Sequence, residues 1–296
     1  AATDCSSEFV RKNFPNVKII RFMKNYGFAK GYNLAIQQVR SRYVALLNDD
    51  TKVDNKWLEK LIEAILEDPK VAIVGSKIYF YDEPDIVQHA GARLTFIGAG
   101  IDLGFGEKDS TRHNIRRPVG AVCGAAMMID RKVFNALGGF DENYFAYFED
   151  VDLCWRAWLS GYKVVYVPRS IVYHKFGGSW GGRESPHRIF FSTRNRYFNI
   201  IKNFETPRLI LGIIISFLFD TLKIIEFMIR RYKAGTIAII KAHLDLLKKA
   251  QTMFKKRHQI QALRKRNDKA LLRLGLFLPL TDSLREFLRL RSLKVR

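Results

Sequence analysis

The chain has 296 residues, 48% of them hydrophobic and 27% charged, which excludes a disordered or fibrous polypeptide and allows one large domain or two. The net charge is +21 and uneven: from Glu205 onward 21 Lys and Arg face 7 Asp and Glu, while the first 204 residues hold 29 and 22. A basic tail of this kind suits an anionic surface, and three scattered cysteines without CxxC spacing (Cys5, Cys123, Cys154) read as reduced thiols in a cytosolic setting, not as a disulfide frame or zinc site.

The chain opens Ala1-Ala2-Thr3-Asp4, without Met or a signal peptide, and the expectation is that residues precede it. A helix ending near Phe14-Pro15 leads to an expected short strand, Asn16 to Arg21. Asn25 to Gly31 reads as a glycine-bearing loop and Tyr32 to Arg40 as a helix. Tyr43 to Leu47 is a continuous apolar run suited to a buried parallel strand. It runs into Asn48-Asp49-Asp50. Asp54 caps a helix from Lys56 to Leu66, and Val71 to Gly75 is the next strand. This alternation argues for a layered α/β fold.

Gly91 to Arg117 reads as a long loop or irregular hairpin, Val119 to Ile129 as a small-residued apolar run, and Arg131 to Leu137 as a short helix stopped by Gly138-Gly139. Phe145 to Arg156 sets Glu149, Asp150 and Asp152 beside aromatic rings. Acidic residues favour a helix N-terminus. Crowded, desolvated carboxylates can also be tuned into general bases. Lys163 to Val167 is a strand closed by Pro168, and Ile171 to Tyr173 leads into His174. Residues 176–182 (FGGSWGG) form an expected mobile loop around Trp180, and Pro186 to Asn203 is helical.

After Pro207 the character changes. Leu209 to Phe219 is eleven uncharged residues, short of the roughly 20 that span a bilayer. Asp220, Lys223, Glu226 and Arg230 share one side of a helical wheel, so the segment reads as amphipathic. Ile237 to Phe254 repeats the pattern and Lys255 to Arg273 is strongly basic. Such helices either pack on the domain or lie on an anionic membrane surface, and the second reading is preferred. Nucleic acid is disfavoured, because the basic region lacks interleaved aromatics.

Asn48, Asp49 and Asp50, at a strand end, are hard oxygen donors for Mg²⁺ or Mn²⁺ shared with phosphate, although an Asn-Asp turn after a strand is common. His174 stands as a further metal ligand or as a structural His. Asn25 to Asn33 could present backbone N–H groups to a nucleotide, without being a Walker loop.

Taken together, ATDCS at Ala2, NYGFAKGYN at Asn25, LLNDD ending at Asp50, GAAMMI at Gly124, GGFDENYFAYFEDVDLCWR from Gly138, GY at Gly161, YVP at Tyr166 and VYHKFGGS from Val172 resemble the family 2 glycosyltransferases, rhamnosyltransferase-like, over roughly residues 1 to 200. The resemblance implies a GT-A, Rossmann-like α/β fold with a mixed, mainly parallel sheet flanked by helices, lacking its first strand. It implies a transferase domain over 1–204, followed by basic amphipathic helices over 205–296 that associate with a membrane surface. It implies an inverting, metal-dependent transfer from a nucleotide-diphosphate sugar, UDP- or dTDP-linked, to a glycan or lipid-linked acceptor. The setting implied is cytoplasmic, on the inner face of the cell membrane.

Carried over by position, Asp150 is the catalytic base and Glu149 its neighbour. Asp50 and His174 hold Mg²⁺ or Mn²⁺. Asp4, Asn25, Gly27, Gly31, Asn48, Asp49, Gly124 and Trp180 border the nucleotide-sugar. The motif departs from the strict family pattern in carrying Asn at position 48. Two other readings use fewer of these residues: a glycoside hydrolase working with two carboxylates, and a catalytically inactive basic scaffold on a membrane surface.

Overall fold

The computed structural model describes residues 4–175 and 184–292. In chain order these form α1 (Ser6–Asn13), α2 (Gly27–Ile36), β1 (Tyr43–Leu47), β2 (Thr51–Val53), α3 (Trp57–Leu66), β3 (Val71–Phe80), β4 (Ile86–His89), β5 (Ala92–Leu94), β6 (Gly100–Asp102), β7 (Glu107–Lys108), β8 (Arg117–Pro118), β9 (Ala126–Asp130), α4 (Arg131–Ala136), α5 (Glu149–Leu159) and β10 (Lys163–His174). Then follow α6 (Pro186–Asn203), α7 (Thr206–Ile229), α8 (Lys233–Ala262), α9 (Asp268–Arg273) and α10 (Leu280–Ser292).

The main sheet has the order β1-β9-β3-β10-β2, with β4 on β3 and β8 on β10. β3 is buried at every position, as an apolar central strand should be. The fold is the expected mixed α/β, but among the described residues the main sheet pairs strands in parallel between β3 and β10 alone. β9 runs antiparallel between β1 and β3, so β1, β3 and β10 point the same way and end at one edge. β1 is therefore not a buried parallel strand: it ends the ladder order among the described residues and is only half-buried. Residues 16–21 form no strand. An extended segment becomes a strand only when a neighbour takes its backbone hydrogen bonds, and these residues join no ladder in the structure. In β10, Pro168 is absorbed by a register shift between Val167 and Ile171, which makes one strand of two expected pieces.

Helices cover both faces. α3 packs Trp57, Leu61 and Ile65 against Val74, Met128 and Val165, and Trp57 Nε1 donates to Ser76 Oγ at 2.9 Å. The other face holds Trp155, Trp158, Tyr144 and Phe198. Each such fully buried apolar side chain contributes roughly 1.5–3 kcal/mol.

The C-terminal helices pack onto this layer. Arg257 of α8 donates to the carbonyls of Ile201 and Phe204. Glu205 and Asp268 exchange backbone-to-carboxylate bonds of 2.8 and 2.9 Å. α7 has an unexpected orientation. Asp220, from its polar stripe, is buried against Arg196, Tyr197 and His243, while Ile214, Phe217, Leu218, Leu222 and Met228 are exposed. Among the described residues, no helix is long and apolar enough to cross a membrane.

A buried ionic network ties α5, α6 and α8 together. Lys202 Nζ lies 2.9 Å from Asp141 and 2.8 Å from Asp152. Arg156 donates to Asp152 at 2.8 Å, and Lys256 reaches Asp141. Burial alone would raise the pKa of Asp141 and Asp152, but Lys202 with Lys256 or Arg156 outweighs it and both are lowered. Lys202→Met, which leaves two buried carboxylates short of a cation, is expected to cost about 3–5 kcal/mol in urea denaturation. A depressed carboxylate pKa contributes stability above its unfolded value of about 3.9 and loses it as pH falls. Unfolding midpoints should therefore drop below about pH 4, and less steeply in Asp141→Asn.

Candidate active site

The carboxyl ends of β1, β3 and β10 carry the site, where open α/β sheets bind ligands. The β2–β10 ladder sets Thr51 opposite His174, and Lys175 N donates to the Asp50 carbonyl at 3.0 Å. Asp50 Oδ1 thereby lies 3.1 Å from His174 Nε2. No aligned hydrogen bond reaches this buried carboxylate oxygen. The other imidazole nitrogen, Nδ1, is held by the Gln88 amide, 2.8 Å from Nε2 and 3.2 Å from Oε1. Burial lowers the His174 pKa despite the neighbouring Asp50, and so favours the neutral ring. A carboxylate oxygen short of a donor facing a neutral imidazole nitrogen can act as a donor pair for a divalent cation such as Mn²⁺ when Nδ1 carries the ring proton and donates to Gln88 Oε1, 3.2 Å away. No group of three or more His, Cys, Asp or Glu that could hold a metal is present among the described residues, and Asp50 with His174 is the pair they bring together here.

Asn48 joins this turn to the loop that meets Asp150. Its N–H donates to the Ala125 carbonyl at 2.9 Å, and its own carbonyl accepts from Thr51 Oγ1 at 2.6 Å. One residue earlier, Gly124 N–H donates to Asp150 Oδ2 at 2.8 Å. A Cβ on Gly124 would meet the Phe28 ring at 2.8 Å, so a larger residue would have to displace that ring. Asp150 Oδ1 accepts from Val151 N–H at 2.7 Å. Burial raises the Asp150 pKa against these two N–H bonds. Burial, with Asp150 beside it, raises that of Glu149 far more, and Glu149 Oε2 is buried without a partner among the described residues. Of this pair Asp150 ionises first. Asp152 faces the opposite way, into the ionic network, so the three crowded carboxylates split into two site groups and one structural group.

The segment before Asp150 is strained. Phe145, Tyr147 and Phe148 have φ of 66°, 69° and 66°, a left-handed conformation that costs roughly 1–3 kcal/mol per non-glycine residue. α6 holds it. Buried Asn195 donates through Nδ2 to the carbonyls of Tyr144, Ala146 and Tyr147 at 3.2, 2.8 and 2.7 Å. Arg194 Nη2 donates to Asn143 and Tyr144 carbonyls at 2.7 and 3.0 Å. From the other side, Phe28 N–H donates to the Phe145 carbonyl at 2.7 Å.

Gly27 and Gly31 lie within α2 and not in a loop, because Asn25 Oδ1 accepts from Gly27 N–H at 2.8 Å and starts the helix early. Gly27 has φ of 74°, and a Cβ there would come within 2.5 Å of the Phe145 carbonyl oxygen. Asp49 is exposed, near enough to Tyr32 to help burial push its phenol up to about 12. Asp4 is exposed at the start of α1, its carboxylate accepting from Ser6 N and Oγ at 3.2 and 2.6 Å. No described contact joins Asp4 or Asn25 to the Asp50–His174 pair. Trp180 lies outside the described residues.

Sequence reasoning missed Gln88, His89, Asp102, Arg194 and Asn195. His89 Nε2 accepts from Cys123 N–H at 3.2 Å, so Nδ1 carries the proton and donates to Asp102 Oδ1 at 2.8 Å. The adjacent Gln88-His89 pair on one strand was the only available hint. Asn195→Leu keeps the shape but removes the donors. It is expected to cost about 1–3 kcal/mol by denaturation, with faster amide exchange concentrated in residues 144–150.

Comparison with known proteins agrees with this geometry. Residues 2–138 match the family described as glycosyl transferase family 2, and residues 108–176 match the N-terminal domain of galactosyltransferase. An N-acetylglucosaminyl-diphospho-decaprenol L-rhamnosyltransferase of Mycobacterium tuberculosis is 27% identical over 63% of this chain and 67% of its own length. The chain spans between 12% and 67% of the length of the curated relatives it matches. Two solved structures share the fold with TM-scores of 0.53. GalNAc-T7 with UDP, GalNAc and Mn²⁺ is 17% identical and covers 68% of this chain and 39% of its own. Staphylococcus aureus TarS 1–349 with UDP-GlcNAc is 13% identical and covers 94% and 82%. With a GT-A fold and these motifs, residues 2–138 match glycosyl transferase family 2, and the chain is similar to a rhamnosyltransferase among its relatives.

Proposed function

We propose that the protein moves a sugar, with inversion, from a nucleotide-diphosphate sugar (UDP- or dTDP-linked) to a hydroxyl of a glycan or lipid-linked acceptor in the synthesis of a cell-surface polysaccharide or glycoconjugate. The observation that carries this is one sheet edge holding both a carboxylate of raised pKa, Asp150, and the Asp50–His174 donor pair. The relatives' names and the ligands in the solved structures support the donor class.

In this reading Asp150 accepts the proton of the acceptor hydroxyl as that oxygen bonds to the anomeric carbon, and the bond from that carbon to the diphosphate oxygen breaks on the opposite face. Gly124 and Val151 N–H groups keep the carboxylate aimed, and Glu149, protonated, adds no competing charge. Asp50 and His174 would hold Mg²⁺ or Mn²⁺, with the remaining positions left to water and the diphosphate. When bound, the cation neutralises charge on the leaving diphosphate. Asn48 and Asp49 would flank that diphosphate, and Asp4, Asn25, Gly27 and Gly31 would lie toward the nucleotide.

The exposed apolar side of α7 continues on α8 with Ile240, Leu244 and Leu247, beside exposed Arg231, Lys233, Lys241 and Lys248. It supports docking on an anionic membrane surface, on the cytoplasmic side where lipid-linked acceptors are met.

Asp150→Asn is expected to lower kcat by about 10²–10⁴-fold with donor affinity unchanged by calorimetry; a matching loss of donor affinity would overturn the assigned role. Because the base must be ionised and its pKa is raised by burial, kcat/KM should fall on the acid side at a pH above that of an ordinary Asp. Asp50→Ala should lose Mn²⁺-dependent donor binding, and unchanged binding would contradict the metal assignment.

A further inference from the structure

Two adjacent residues of β4 serve the two halves of the site. Successive side chains of a strand point to opposite faces. Gln88 Oε1 lies 3.2 Å from His174 Nδ1, and His89, also buried, reaches the turn before β9. That turn is tied group by group. Ala121 exchanges backbone hydrogen bonds of 2.9 and 3.1 Å with Ala92. His89 Nε2 accepts from Cys123 N–H at 3.2 Å, and Gly124 N–H donates to Asp150 Oδ2 at 2.8 Å. The Ala125 carbonyl then accepts from Asn48 N–H at 2.9 Å. The hold on Cys123 therefore stands directly before the bond that aims Asp150.

An imidazole accepts at Nε2 only in the neutral tautomer that carries its proton on Nδ1. That proton goes to Asp102 Oδ1 at 2.8 Å. A proton on Nε2 would instead set N–H against the Cys123 N–H. Asp102 belongs to β6, in the two-stranded sheet with β5, whereas His89 ends β4 in the main sheet. One hydrogen bond thus fixes the tautomer and ties the two sheets together. Around Asp150 stand Glu149 and Cys154 of α5, His89 of β4, Asp102 of β6 and Cys123 of the turn. Burial raises the Asp150 pKa, the Gly124 N–H bond lowers it, and the Asp102 charge raises it. Charge and hydrogen bonding from the same residue therefore act on the base in different ways.

We infer that His89 and Asp102 are positioning residues for the proposed base: Asp102 fixes the imidazole so that Nε2 holds the Cys123 N–H, and the turn pinned in this way aims the Gly124 N–H at Asp150. Neither residue touches Asp150 by a hydrogen bond of its own; both act through the turn. The inference rests on the transferase reading for the use made of Asp150, and adds to it the device that keeps that carboxylate aimed.

The test uses the full chain labelled with carboxyl-¹³C aspartate, without substrate, and Asp150→Asn identifies the Asp150 signal. Asp102→Asn and Asp102→Ala both remove the charge, but only asparagine keeps an oxygen for the His89 Nδ1–H. The Asp102 side chain is 46% exposed, so neither substitution opens the core. Amide exchange at Cys123 and Gly124 should be at least tenfold faster in Asp102→Ala than in Asp102→Asn, with the β3 amides equal in the two. Asp150 should titrate at a higher pH in Asp102→Ala, because the Gly124 N–H no longer holds its ionised form. Equal exchange or equal titration in the two variants, or a difference spread equally over the β3 amides, would overturn the positioning role. A separate measurement tests the reading beneath it: if UDP- and dTDP-sugars with Mn²⁺ fail to raise the melting temperature of the unmodified protein, the transferase reading falls while the hold on Asp150 stands.

Discussion

The hold of Asn195 on the carbonyls of Tyr144, Ala146 and Tyr147 is the constraint on which the site depends. Three left-handed aromatic residues in a row of four would not persist without it. Their backbone turns α5 so that its first residues, Glu149 and Asp150, meet the Gly124 loop. The same helix one turn later enters the Lys202 network. α6 therefore does two jobs from sites about two turns apart: Arg194 and Asn195 shape the loop, and Lys202 and Asn203 anchor the helix that follows it.

Environment, not residue type, separates the acidic groups. Glu149, Asp150 and Asp152 lie within four residues, yet burial raises the first two while Arg156 and Lys202 lower the third. Glu149 Oε2 is buried without a hydrogen-bond partner among the described residues, and burial favours the protonated form. Asp150 has two N–H donors, enough to keep it ionisable and not enough to return it to the ordinary range. This division sets one more readily ionised carboxylate beside a neighbour that burial favours as neutral, an arrangement suited to the proposed proton abstraction from a hydroxyl.

Much of this was legible in the sequence where the signal was local. The α/β alternation, the bounds of α6 and the turn after β1 follow from apolar runs and punctuation. His174 and Asp50, expected to share a cation, come within 3.1 Å because β2 and β10 pair there. The illegible parts are long-range. That β9 runs antiparallel between β1 and β3 has no local signature. Neither does the use of Asn195 by carbonyls 48 to 51 residues away. The wheel of α7 showed an amphipathic helix but not which side faces in. Asp220 goes inward because Arg196, Tyr197 and His243 supply its partners.

If one sheet edge binds a nucleotide-sugar through a divalent cation, donor and cation should stabilise the native state together. Melting temperature with UDP-, dTDP- and GDP-sugars, each with Mn²⁺ or EDTA, tests it most directly, since a ligand bound only by the native state raises the midpoint by mass action. The account predicts a rise with a UDP- or dTDP-sugar that EDTA removes. No rise with any donor, or a rise indifferent to EDTA, would contradict it.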